Sequence, residues 1–167
     1  MKCFLCQRES VIFLKYLNQG FCSKHFVRMI KKRFMRNLKN LKMWEKNSKL
    51  YIPKGKELRL VVLNYLFKDR HFIKTKKNSA DKIVKKECMD DLAFYFIKNI
   101  FSGKWPELKI SNKNIYPLYN ISYEELKVFA ECVGLKYFKK EPEKNLFLEK
   151  VKKIRPGAMF SLVRWLE

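Results

Sequence analysis

Two closely spaced cysteine/histidine pairs open the chain, a lysine- and arginine-rich stretch with apolar side chains at helical period follows, and the remainder alternates short apolar runs with capped helical segments. Together they predict an α/β protein. Its expected parts are an N-terminal metal module with a basic helix (residues 1–46), a linker (47–58) and a reduced α/β unit with a helical C-terminus (59–167).

The metal module is read from spacing. Cys3-Phe4-Leu5-Cys6 and Cys22-Ser23-Lys24-His25 are separated by fifteen residues. A Cys-x-x-Cys turn sets two thiolates on one side of an ion, and a Cys-x-x-His turn closes the other, as a tetrahedral Zn²⁺ requires. Between them Val11 to Leu17 reads as a strand, Asn18-Gln19-Gly20 as a turn and Phe21-Cys22 as the returning strand. A helix starting near Ser23 would bring Cys22 and His25 to the ion at its first turn. That order is treble-clef-like, and with Cys3, Cys6, Cys22 and His25 all committed the zinc is expected to be structural.

Composition narrows the class. Apolar residues make up 47% of the 167, enough for a proper core. No apolar run approaches the roughly 18 residues of a membrane span, Met1-Lys2-Cys3 opens no signal peptide, and five cysteines form no disulfide framework, so a reducing cytoplasmic setting without membrane contact is expected. The formal net charge is +22, and residues 1–86 hold 24 basic and 5 acidic side chains against 14 and 11 in residues 87–167. An excess concentrated in one half points to a polyanionic partner, nucleic acid first.

The helix over 24–46 follows from Phe26, Ile30, Phe34, Leu38 and Leu41 at helical spacing, with Arg28, Lys31, Lys32, Arg36, Lys39, Lys42 and Lys46 on the remaining surface. Docked by its apolar stripe, it would present Arg28, Lys31, Lys32, Arg36, Lys39 and Lys42 to phosphates. Leu60 to Phe67 is short, apolar and β-branched at its middle, which reads as a buried strand. Lys68 to Asn78 reads as a basic loop and Ile83-Val84 as a short strand. A helix from Asp90 to Phe101 stops at Ser102-Gly103. Ser122 and Glu125 form a capping box for a helix reaching Cys132. Leu135 to Phe138 reads as a strand, and two helices follow at 144–153 and 156–166, the second opened by Pro156.

On these motifs the chain resembles the tRNA 2-thiolation enzymes of the TtuA/TtcA type, in the PP-loop ATPase (adenine nucleotide alpha-hydrolase-like) superfamily. The likeness rests on Cys3, Cys6, Cys22, His25 and the basic helix behind them, then on Glu87-Cys88-Met89-Asp90-Asp91, Ile115-Tyr116-Pro117-Leu118, Ser122-Tyr123-Glu124-Glu125-Leu126 and Arg155-Pro156-Gly157-Ala158. It covers residues 1–46 and 80–167. What it implies is a Rossmann-like core and tRNA as the bound partner.

Several family features are missing. The Ser-Gly-Gly-x-Asp-Ser turn whose backbone amides hold the ATP pyrophosphate has no counterpart, and none of the five glycines is paired. Glu87 stands where the family has histidine before its Asp-Asp pair. The cysteines that hold an iron–sulfur cluster or form a catalytic pair are absent as a set, leaving Cys88 and Cys132. The expectation is therefore a zinc-containing tRNA-binding pseudoenzyme, an accessory or degenerate relative without bound ATP or an iron–sulfur cluster. It would partner a full-length thiolation enzyme or a second copy of itself. Two alternatives compete: a minimal ATP-dependent tRNA sulfurtransferase using Asp90, Asp91 and Cys88 or Cys132, and an unrelated zinc-dependent nucleic-acid-binding protein.

Overall fold

In a computed structural model, residues 1–40, 48–68, 72–105, 113–138 and 146–164 are described, the side chains of residues 40 and 164 excepted. The chain opens with an antiparallel hairpin of β1 (Ile12–Leu14) and β2 (Gln19–Phe21), in which Phe13 faces Gly20. The turn comes slightly earlier than expected: Leu17 and Asn18 donate to the carbonyls of Leu14 and Lys15, and Asn18 takes a left-handed φ of 52°. Asparagine tolerates that region better than other side chains do. Gly20 is demanded by packing, because a Cβ there would lie 3.0 Å from the Lys2 carbonyl oxygen and 3.1 Å from Ser10 Cβ.

Helix α1 (Ser23–Asn40) begins directly at the second ligand pair. Phe26, Ile30, Phe34 and Leu38 are buried along one stripe, as their spacing predicts, while Leu41, Lys42 and Lys46 lie outside the described residues.

The segment expected as a linker instead supplies β3 (Lys49–Tyr51), an inner strand of a four-stranded parallel sheet. Beside it lie β4 (Ile73–Lys74) on one edge, β5 (Lys82–Val84) on the other side, and β6 (Asn114–Ile115) beyond β5. Leu50 registers with Lys74 and Lys82, and Val84 with Ile115. Three residues with one buried side chain carry too little pattern to announce a strand; β3 is a strand because neighbours pair both its edges. The loop expected at 68–78 likewise contains β4 and a 3₁₀ turn at Lys77–Ser79.

The largest correction concerns Leu60–Phe67. It is helical, within α2 (Leu58–Leu66), and not a strand. Leu58, Leu60, Val62, Leu63 and Leu66 are all buried, so the helix is apolar on nearly every side and shows no amphipathic period. Short apolar runs of this kind cannot be assigned by periodicity alone. Phe67 just beyond α2 packs edge-on against Phe34 and Phe72, with centroids 5.0 and 5.3 Å apart, and knits α2 to α1.

The second half follows expectation more closely. Helix α3 (Met89–Phe101) and α4 (Tyr123–Cys132) occupy the expected places, and Ser122 and Glu125 close the capping box at 3.1 and 2.8 Å. The expected strand at 135–138 is reduced to a single bridge between Phe138 and Glu57. Helices α5 (Leu146–Ile154) and α6 (Ala158–Arg164) complete the chain. One core joins the hairpin, α1, the sheet, α2 and α4; a second joins α3, α5 and α6 through Met89, Leu92, Phe96, Leu148, Met159 and Val163. No helix among the described residues is long and apolar enough to cross a membrane.

Candidate metal centre and basic face

The hairpin and the start of α1 bring Cys3, Cys6, Cys22 and His25 together, with their donor atoms all within 4.8 Å of one another. Cys3 Sγ stands 3.5 Å and Cys22 Sγ 3.4 Å from His25 Nδ1, and Cys6 Sγ stands 3.6 Å from Cys22 Sγ. Around one ion at metal–sulfur and metal–nitrogen distances of about 2.3 and 2.0–2.1 Å, tetrahedral donors stand roughly 3.5–3.8 Å apart. The set fits a single four-coordinate metal ion, with Nδ1 as the imidazole donor. It is the only such group of three or more among the described residues.

Backbone geometry shapes the site. Gln7 N–H donates to the Cys3 carbonyl (3.0 Å) and takes a left-handed φ of 60°, turning the chain sharply after Cys6. Burial raises the Cys3 thiol, but hydrogen bonds from the backbones of Cys22, Leu5 and Cys6 and from the His25 ring outweigh it, lowering its pKa to about 6. A thiolate at neutral pH is what a cation needs. The amide at Arg8 favours the Cys6 thiolate, yet burial and crowding by Cys22 and Cys3 raise its pKa above the usual value, since several thiolates together repel without a cation between them.

Along α1, Lys24, Arg28, Lys32, Arg36 and Lys39 are exposed. From Arg28 to Arg36 they recur every four residues, about 6 Å along the axis. Lys31 is half-buried, its Nζ 5.2 Å from the centroid of the Tyr65 ring, so part of its charge is spent against α2. Lys42 lies outside the described residues.

Sequence reasoning missed Arg33, which points the other way. Its guanidinium donates to Glu125 (2.5 Å), to Tyr16 Oη (2.9 Å) and to the Asn120 carbonyl. Tyr16 Oη donates in turn to Glu125 at 2.7 Å, and Asn37 bonds Pro117 and Asn120 at 2.7 and 2.8 Å. Burial first, then the Glu125 carboxylate, push the Tyr16 phenol well above its ordinary range despite Arg33, keeping it a neutral donor. This network fastens hairpin, basic helix and α4 to one another. An acid 92 residues distant in sequence gave no signal of it.

The candidate catalytic residues have structural occupations. Asp91 accepts from the Cys88 amide (2.9 Å) and thiol (3.1 Å) and pairs with Arg59 at 2.5 Å. Asp90 accepts from the Tyr123 amide (2.6 Å) and pairs with Lys152 at 2.5 Å, tying α3 to α4 and α5. Cys88 is fully buried, and burial together with the neighbouring Asp91 and Asp90 drives its thiol well above the ordinary value, away from nucleophile and ligand chemistry. Cys132 ends α4, half-buried against the main core.

In parallel sheets ligands settle outside the strand ends where the strand order reverses, here between β3 and β5. The β3–α2 junction there is Pro53-Lys54-Gly55-Lys56-Glu57. Pro53 offers no N–H, and Gly55 is kept small by Leu60, whose Cδ1 would stand 2.4 Å from an added Cβ. Glu57 pairs with Lys86 at 2.7 Å and Asp91 with Arg59. The turn therefore departs from a paired-glycine phosphate turn, with Pro53 and Lys54 beside a lone Gly55.

Residues 2–27 match the family described as the 2-thiouridine synthetase TtuA N-terminal LIM domain. No curated protein sequence matches the chain. Among solved structures, the U34-tRNA thiolase NcsA from Methanococcus maripaludis, with its [4Fe-4S] cluster, shares the fold at a TM-score of 0.80 and 18% identity. The match covers 99% of this chain and 86% of the thiolase. The chain is thus similar to TtuA in its N-terminal module and to the U34-tRNA thiolase NcsA in its fold.

Proposed function

We propose that the chain is a zinc-containing tRNA-binding protein of the thiolation type that grips RNA without itself activating a nucleotide, as an accessory or degenerate paralogue of a complete enzyme in the cytoplasm. The observation that carries the reading is the exposed cation stripe Lys24, Arg28, Lys32, Arg36 and Lys39, held rigid by the metal module at one end and by the buried Arg33 and Asn37 contacts along its length. Phosphates recognised this way fix position and supply affinity, while specificity comes from elsewhere. That NcsA is a thiolase of U34-tRNA supports tRNA as the nucleic acid.

The non-catalytic part rests on the β3–α2 junction and on the donors available. Zinc suits Cys3, Cys6, Cys22 and His25, whose atoms crowd around the volume of one ion rather than of a multi-iron cluster. The remaining cysteines, Cys88 and Cys132, are one fully buried and one alone on α4. The competing reading, an active sulfurtransferase, draws on the fold likeness. It would have to hold a polyphosphate at a turn with Pro53 and a lone Gly55 and take its thiolate from buried Cys88 or from Cys132.

Labelled tRNA followed by anisotropy across a salt series tests binding. Replacing Arg28, Lys32 and Arg36 together with Glu should weaken binding and flatten the slope of log K against log[salt] by about 2–3, at 0.7–0.9 per lost phosphate contact. Equal binding by the triple variant at moderate salt removes the nucleic-acid reading. Calorimetric ATP binding that vanishes in Asp90→Ala would restore the enzyme.

A further inference from the structure

The second core leaves an opening that the proposed RNA face does not use. Helices α3, α5 and α6 enclose a groove of about 370 Å³. Its walls include Phe96, Ile97 and Ile100 from α3, Val151 from α5, and Ala158 and Leu162 from α6. One end is framed by Phe101 and Phe147, which meet edge-on with centroids 5.9 Å apart and are 76% and 48% exposed. Trp105, Leu146 and Ile154, on the segments adjoining it, are 70%, 73% and 85% exposed. Apolar surface left open at this density and gathered around a recess marks a binding site rather than ordinary scatter.

The surroundings carry one sign. Lys98, Lys104, Lys150, Lys153 and Arg155 are exposed on α3, α5 and the adjoining turns. The only exposed acid on these segments among the described residues, Glu149, is already paired with Lys152 at 3.0 Å. Asp90 and Asp91, at the far end of α3, are held by Lys152 and Arg59.

We propose that this groove is the docking site for an amphipathic helix of a partner protein, its apolar anchors seated between α3, α5 and α6 and its acidic outer face meeting the basic rim. Helix-in-groove recognition places anchors at i, i+3, i+4 and i+7, and a recess walled by three helices suits such a row. A second copy of this chain would bring a rim of the same sign against this one across a two-fold interface. An anionic membrane would meet the exposed side chains of the rim and leave the recess between the three helices unfilled.

The test uses a synthetic fluorescein-labelled helical peptide of about eighteen residues, with Leu and Phe at helical spacing and Glu elsewhere, against a scrambled peptide of the same composition. The ordered peptide should bind the full chain at least about tenfold tighter than the scrambled one. Ser161→Trp, which fills the groove from an exposed position, and Phe101→Ser, which removes a rim anchor, should each weaken binding about fivefold or more with unchanged circular dichroism. The Arg28/Lys32/Arg36→Glu variant should bind as wild type, separating this site from the RNA face. Equal affinity for both peptides, or binding indifferent to Ser161→Trp and Phe101→Ser, overturns the proposal. So does a dimer in sedimentation, or capture of phosphatidylserine vesicles, that Ser161→Trp abolishes.

Discussion

Glu125 is 1% exposed and carries a carboxylate held by Arg33, by Tyr16 and, through its other oxygen, by the Ser122 amide. Arg33→Met keeps an unbranched side chain but removes the charge and its stacking on Phe160, leaving that carboxylate buried without its cation. Breaking one side of a buried pair costs about 3–5 kcal/mol, because desolvation is no longer offset. For a chain of this size that corresponds to a fall of roughly 6–20 °C in Tm. Glu125→Gln removes the charge at the other end, and glutamine still serves the capping box. It should cost less, because Arg33 at 13% side-chain exposure can turn toward water. The double variant should be more stable than the sum of the single losses predicts, with a coupling of about 1–3 kcal/mol. Urea unfolding with zinc held in excess measures all three, provided the slope against denaturant stays constant. A loss below about 1 kcal/mol in Arg33→Met, or strict additivity in the double variant, would refute the view that this pair locks the basic helix in place.

Purified protein should contain one zinc per chain, and Cys22→Ser should lose it in elemental analysis. Chelation should unfold the first thirty residues or so by circular dichroism and proteolysis and, because Leu14, Phe21, Phe26 and Ile30 belong to the main core, lower the stability of the remainder. Gly20→Ala should lower stability of the metal module by about 1–3 kcal/mol, read from the midpoint of metal-linked unfolding, because its Cβ meets the Lys2 carbonyl and Ser10. In native protein at pH 8 iodoacetamide should modify Cys132 and spare Cys88, by mass spectrometry, since Cys88 is buried with its thiol held neutral. Rapid labelling of Cys88 would reopen a chemical role for it.

The ligand set, the stripe of α1, the capping box at Ser122 and the limits of α3 were legible in the sequence because each is a local device. Two ligand pairs at fixed spacing close one ion, an apolar residue each turn defines a helix face, and Ser122 caps a helix through Glu125 three residues on. Charge asymmetry was equally plain, since it needs only counting. Which basic side chain of α1 goes inward was not: Arg33 differs from Arg28, Lys32 and Arg36 only by where Tyr16 and Glu125 stand once the chain is folded. Asp90 and Asp91 were candidates for chemistry only under the alternative enzyme reading, and the folded chain sets them against Lys152, Arg59 and Cys88, partners up to 62 residues away. The exchange of strand and helix between 47–58 and 60–67 has the same origin. Burial on nearly all sides erased the period of α2, and β3 is a strand only through β4 and β5 beside it. Local spacing settled what short-range hydrogen bonds and metal coordination control, and tertiary structure alone decided what depends on desolvation and on partners distant in the chain.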